Sequence, residues 1–313
     1  MSSRSTKTHI TTFAGLPVVE WQPDAAMDDA QHTVYRVGLT YLDGENARWT
    51  DKFAAFMSNP AVSQITALVI GDWHAFDDGH EAAQVVAALV AARAQLPHLT
   101  ALFLGDITED EFPPLFIEQA DVSPLLDAYP LLEHLSMRGS EGLRLGPLRH
   151  RGLRSLVLQS GGLPPEIVQD VGRADLPALE HLELWLGEDA FGGEATVADL
   201  APILSGARFP TLRYLGLCNS DEADEFALAV AGAPILERVK VLDLSLGRLS
   251  DDGAAALLAS PAVARLDKLD IHHHFCSADM VRRLKDLGVS VDGSDAQGAH
   301  LPYDKRNISY VGW

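Results

Sequence analysis

Apolar residues recur along most of the chain in one short order: apolar, two others, apolar, one other, apolar. The stretch LEHLELWLG (179–187) carries leucines at 179, 182, 184 and 186. The same order begins at Val34, Ile65, Leu99, Leu132, Leu153, Leu179, Leu212, Val239 and Leu266, at intervals of 31, 34, 33, 21, 26, 33, 27 and 27 residues. Self-similarity at such spacing marks a repeat architecture. Side chains alternate along a strand, so the last two apolar positions of each copy share one face. One strand cannot shelter that face alone, whereas parallel stacking of the copies buries it continuously. A weaker segment, GVSV (288–291), predicts a tenth strand.

Between the strands the period changes. Residues 77–96 (DDGHEAAQVVAALVAARAQL) predict a helix capped by Asp77 or Asp78, and 221–236 predict a second. Residues 249–263 predict a third, with Ser250 or Asp251 as its cap. Pro97, Pro130, Pro177 and Pro210 each stand two residues before the first leucine of a copy. Proline there ends the preceding helix and favours extended backbone. The expected fold class is therefore α/β: a solenoid with a parallel sheet of about ten strands on its concave face and helices on its convex face.

The stretch VLDLSLGRLSDDGAAALLA (241–259) is the best single copy, and through it the chain resembles the leucine-rich-repeat proteins, most nearly their ribonuclease-inhibitor-like branch. FAGLPVVEW (13–21), LEHLELWLG and VLDLSLGRLSDDGAAALL resemble an uncharacterised family of bacterial leucine-rich-repeat proteins. The resemblance covers roughly residues 34–291 and implies a fold rather than an activity. The ninth consensus position departs from the expected Asn or Cys, holding Trp73, Ile107, Ser140, Gly161, Gly187, Ser220, Gly247 and His274. An irregular arc is expected. Residues 1–33 read as a mobile tail (1–9) and an N-terminal cap (10–33), 34–291 as the solenoid, and 292–313 as a C-terminal cap or tail, in which Tyr310, Val311 and Trp313 fold back. The basic stretch 143–153 reads as a kink between two arcs, not a domain boundary.

Charge narrows the partners. Lys plus Arg is 24 and Asp plus Glu is 44, a net −20. That surface repels phosphate backbones and anionic lipid and favours a basic partner. Two cysteines, Cys218 and Cys276, fit a reducing compartment. With no secretory core at the start and no long apolar run, the chain reads as cytoplasmic.

Residues alternating with the core positions line the concave face. The first row reads Arg36, Ala67, Ala101, His134, Ser155, His181, Tyr214, Val241, Lys268, and the next includes Val69, Phe103, Glu183, Asp243 and Asp270. The third includes Trp185, Cys218 and His272. Two regions differ from the rest. Ala67, Val69, Ala101 and Phe103 form an apolar patch, to be covered either by the chain itself or by a partner. His181, Glu183, Trp185, Tyr214, Asp243, Asp270 and His272 form an expected partner-binding surface. Trp185 and Tyr214 are its touching aromatic anchors, and its acids complement a basic protein or peptide.

Catalytic chemistry is sparse. Asp72 and Asp106 follow equivalent strands in GDW and GDI, a placement that predicts turn hydrogen bonds rather than a catalytic pair. HHHFC (272–276) offers metal-ligating residue types, but alternation separates His272 from His273. No phosphate-cradle motif and no nucleophile elbow is present. The expectation is a non-enzymatic binding module without a cofactor. The alternatives are a metal-assisted enzyme or accessory subunit with a site near Asp243, Asp270 and His272, or a structural scaffold.

Overall fold

The computed structural model describes residues 7–23, 25–44, 46–74, 81–112 and 116–298. The chain divides into two compact units, Met1–Ser155 and Leu156–Trp313. The boundary falls just after the basic stretch 143–153.

The first unit contains β1 (Thr12–Phe13), β2 (Leu16–Glu20), β3 (Val34–Val37), β4 (Ala67–Ile70), β5 (Ala101–Leu104) and β6 (His134–Arg138). Its helices are α1 (Trp49–Met57), α2 (Glu81–Ala92) and α3 (Ser123–Ala128). From β2 onward the strands pair in parallel and in chain order. The predicted cap residues Asp77 and Asp78 lie outside the described residues.

The N-terminal segment departs from the expectation of a simple cap. Ala14 and Gly15 both have positive φ, 48° and 81°. That is the backbone a tight two-residue hairpin needs, and β1 folds back antiparallel on β2. Strand β2 then pairs in parallel with β3 through Val18–Val34, Val19–Tyr35 and Glu20–Arg36. The same pairing corrects the first row of the face. Tyr35 lies beside Leu68 and Arg36 beside Val69, so Val34, not Arg36, shares a row with Ala67. A shift of two residues preserves side-chain parity, so the face itself was assigned correctly.

The second unit holds all but the first residue of β7 (Ser155–Gln159), then β8 (His181–Gly187), β9 (Tyr214–Ser220), β10 (Val241–Asp243), β11 (Lys268–Asp270) and β12 (Ser290–Asp292), again in chain order. Helices α4 (Pro165–Arg173), α5 (Val197–Leu204), α6 (Ala223–Ala231), α7 (Asp251–Ala259) and α8 (Ala278–Lys285) alternate with them. Successive helices pack on one another. The periodic leucines, among them Leu182, Leu184, Leu215, Leu217, Leu242 and Leu269, are buried. Local chemistry sets the helix starts. Ser250 Oγ accepts the Asp252 amide at the head of α7, and Thr196 and Asp199 form a reciprocal capping box on α5.

The described residues hold twelve strands, where about ten were expected. No described helix is long and apolar enough to cross a membrane. Tyr310, Val311 and Trp313 lie outside the described residues. Cys218 and Cys276 are both buried and not joined in a disulfide.

Candidate functional site

In the second unit the strand register brings together the side chains expected to bind a partner. His181, Tyr214, Val241, Lys268 and Ser290 form one row. Glu183, Gly216, Asp243, Asp270 and Asp292 form the next. Neighbouring strands lie about 4.8 Å apart, so three aspartates follow one another across β10, β11 and β12. Trp185 pairs in register with Cys218 rather than with Tyr214.

A hydrogen-bond network stabilises this concentration of acid. Trp185 Nε1 donates to Glu183 Oε1 at 2.8 Å. The Tyr214 hydroxyl donates to Asp243 Oδ2 and also lies 3.4 Å from Glu183 Oε2. Asp243 Oδ1 accepts the Ser245 amide at 2.9 Å. Lys268 Nζ contacts Asp270 Oδ2 at 2.8 Å and Asp292 Oδ2 at 3.7 Å. His272 Nδ1 lies 2.7 Å from Asp270 Oδ1. Burial alone would raise the Asp270 carboxyl, but the His272 and Lys268 hydrogen bonds outweigh it and hold the group well below the usual carboxylate range. Burial likewise opposes the charge on Lys268, and Asp270 and Asp292 more than offset that, so its ammonium is held above the ordinary value.

Two parts of the expected surface are corrected. Trp185 is 1% exposed, and Glu183, Asp243 and Asp270 are also buried. Alternation tells which face a residue occupies but not whether its neighbours cover it. Second, the aromatic contact is between His181 and Tyr214, whose rings stack at 3.9 Å and 12°. Both residues are half-buried, so this pair, not the indole, presents a ring to solvent.

The metal alternative also changes composition. Asp270, His272 and Asp292 offer ligand atoms within 4.8 Å of one another. Asp243, expected in that group, is turned instead to Tyr214 and Ser245. His273 faces Asp295, away from His272's partner. With the Lys268 ammonium already on both aspartates of the trio, a divalent ion would have to displace it.

A second constellation, in the first unit, was not foreseen. Arg36 and Arg138, 2% and 0% exposed, flank Asp106, which is fully buried. Arg36 Nε lies 3.3 Å and Arg138 Nη1 3.7 Å from the Asp106 carboxylate. Arg36 also pairs with Glu20 and with Glu111, the latter at 3.1 Å. A Cβ on residue 71 would fall 2.7 Å from the Arg36 guanidinium, so glycine there gives this side chain its room. Burial pushes the Asp106 carboxyl up against the opposing pull of Arg138 and Arg36. Glu111 is lowered to about 2, because hydrogen bonding from His9 and the Arg36 charge outweigh its burial. The turn reading holds for Asp72, whose Oδ1 accepts the His74 amide at 3.0 Å. It is corrected for Asp106, which instead serves as the buried counter-charge. His9, expected in a mobile tail, lies 2.7 Å from Glu111. The apolar patch of this unit is covered by the chain itself. Ile10 and Phe13 are buried with Val34, Ala67, Val69, Ala101 and Phe103.

A structure of a Bacteroides fragilis protein, a structural-genomics target, matches this chain with a TM-score of 0.78 and 30% identity, over 84% of this chain and 74% of that one. The chain belongs to that protein's family. The family assignment supports the repeating α/β architecture and brings no activity with it. An internalin from Listeria monocytogenes aligns over 77% of each chain at 12% identity and a TM-score of 0.33, too low to carry an argument. No family profile and no curated protein matches the sequence.

Proposed function

We propose that the chain is a cytoplasmic leucine-rich-repeat module that binds a basic protein or peptide on the strand face of its second unit and performs no chemistry there. The supporting observation is the row Glu183, Asp243, Asp270 and Asp292, spaced by parallel strands and accompanied by one ammonium, Lys268. Beside it the stacked His181–Tyr214 pair offers an aromatic surface on which a guanidinium packs well. The buried Trp185 supports this platform from within, through Glu183, and is not itself an anchor. Asp292 is the accessible acid of the row.

The test is titration with a nine-arginine peptide, followed by fluorescence anisotropy at low and moderate salt. His181→Ala and Asp292→Asn are each expected to weaken binding about fivefold, and Glu225→Gln, an equal charge change on an exposed helix position, to leave it unaltered. Absence of saturable binding would overturn the reading, and an equal effect of all three substitutions would reduce it to attraction by net charge.

A further inference from the structure

Residues 7–13 reach the rest of the first unit through a single turn. Ala14 and Gly15 stand there at φ 48° and 81°. A two-residue hairpin of this kind asks for positive φ at both central positions, which asparagine and glycine supply and alanine resists. Gly15 meets the demand, and Ala14 is held against its preference. Beyond the turn the contacts are ample. Phe13 packs on Phe103 with ring centroids 5.9 Å apart, and Ile10 is buried with Val34, Ala67, Val69 and Ala101. The Ile10 amide donates to the Asp106 carboxylate at 3.3 Å, and His9 stands 2.7 Å from Glu111. The segment is well matched to the face it covers and poorly matched to the turn that brings it there.

The pairing has a second property. The Val18 amide donates to the Thr11 carbonyl at 2.9 Å, Thr12 lies opposite Pro17, and Phe13 lies opposite Leu16. All three pairs are centred on Ala14–Gly15. When that turn straightens, β1 and β2 become one strand whose two halves are each other's antiparallel partners. Two such strands, from two copies, pair around a two-fold axis at the former turn in the register of the single chain. Each apolar face then receives the Ile10 and Phe13 of the other copy.

We propose that this chain dimerises by exchanging residues 7–13, so that a second copy of itself covers the first unit's apolar face. The fit of this segment to that face is displayed within one chain, and a second copy carries the identical segment. The closed monomer and the exchanged dimer make the same contacts, so these cancel from the balance between them. Three terms remain. Straightening releases Ala14 from positive φ in both copies, which favours exchange. Joining two molecules costs translational and rotational freedom. The net charge of −20 on each copy repels the other, less so as salt rises. Exchange therefore grows with protein concentration and with salt.

The test changes the hinge of the full chain in both directions and measures mass by light scattering across a dilution series at moderate salt. Ala14→Gly relaxes the closed turn and is expected to lower the association constant about a hundredfold, about tenfold for each of the two hinges. Ala14→Pro fixes φ at about −65°, forbids the closed turn, and is expected to be dimeric at concentrations where the wild type is a monomer. Thr12→Cys with Pro17→Cys, at exposed positions opposite each other, identifies the contact. Oxidation is expected to link this pair within one chain in dilute protein and between two chains in concentrated protein, as read on a denaturing gel without reductant, with Thr12→Cys alone as the background. A cysteine pair that closes only within one chain at every concentration would overturn the proposal, whether or not Ala14→Pro folds. So would a folded Ala14→Pro monomer, or an association constant unchanged by Ala14→Gly.

Discussion

Replacing Asp106 by Asn isolates the charge at the centre of the first unit. Asparagine has nearly the same size and still accepts from the Ile10 amide, so packing and that hydrogen bond persist. What goes is the negative charge between Arg36 and Arg138, at 3.3 and 3.7 Å. Removing one partner from a buried ion pair costs about 3–5 kcal/mol, chiefly because a charge is stranded away from water. Arg36 keeps Glu20 and Glu111, which places the expected loss near the lower end, about 3 kcal/mol at neutral pH. Tryptophan fluorescence during urea unfolding is a suitable assay, since Trp21, Trp49 and Trp73 all lie in this unit. With a slope of about 3 kcal/mol per molar urea the midpoint falls by about 1 M. A second variant sharpens the test. Changing Arg36, Asp106 and Arg138 together to Met, Leu and Met removes the three buried charges, leaves only the part-exposed Glu20 and Glu111 without Arg36, and is expected to recover much of the loss. An Asp106→Asn protein within about 0.5 kcal/mol of wild type would refute the reasoning.

Trp185→Ala is expected to destabilise the second unit by about 3–5 kcal/mol, because it empties a buried site and takes the indole donor from Glu183; an unchanged thermal midpoint would return Trp185 to the surface. Asp221 gives a pH prediction. Burial raises its carboxyl to about 6 against the opposing Arg248 charge, with Glu222, Asp189 and Glu188 adding to the rise. The folded state then holds a proton that the unfolded chain has released, so this group lowers stability as pH rises from about 4 to about 6. Asp221→Asn is expected to raise stability at neutral pH and to flatten that part of the urea-midpoint profile; a slope identical to wild type would exclude the assignment.

Much of the strand framework was legible because it depends on local order. Apolar spacing located most of the strands and proline punctuation the turns into four of them, while side-chain chemistry left Ser250 and Asp251 both open as the cap of α7, a place the fold gives to Ser250. The remainder depends on distant residues. Arg36, Asp106 and Arg138 stand on separate strands or just beyond them, and nothing near any one of them announces the others. The hairpin left a fainter trace in Ala14-Gly15, a two-residue turn ahead of VVE. Trp185 shows the limit of alternation, which assigned its face correctly and its exposure wrongly. The row Asp243, Asp270 was readable from equivalent positions, whereas Asp292 became its third member only through the pairing of β11 with β12.

Strands that pair in chain order let the structure grow as the chain leaves the ribosome, each new turn of the stack docking on the last one made. The N-terminal segment is the exception. Residue 9 emerges early, yet its acid partner Glu111 is 102 positions later. At translation rates of about 5–20 residues per second, roughly 5–20 s separate the two. The segment that covers the first unit's apolar face is therefore made before the strands it covers, and its outer contact is completed only once residue 111 has emerged.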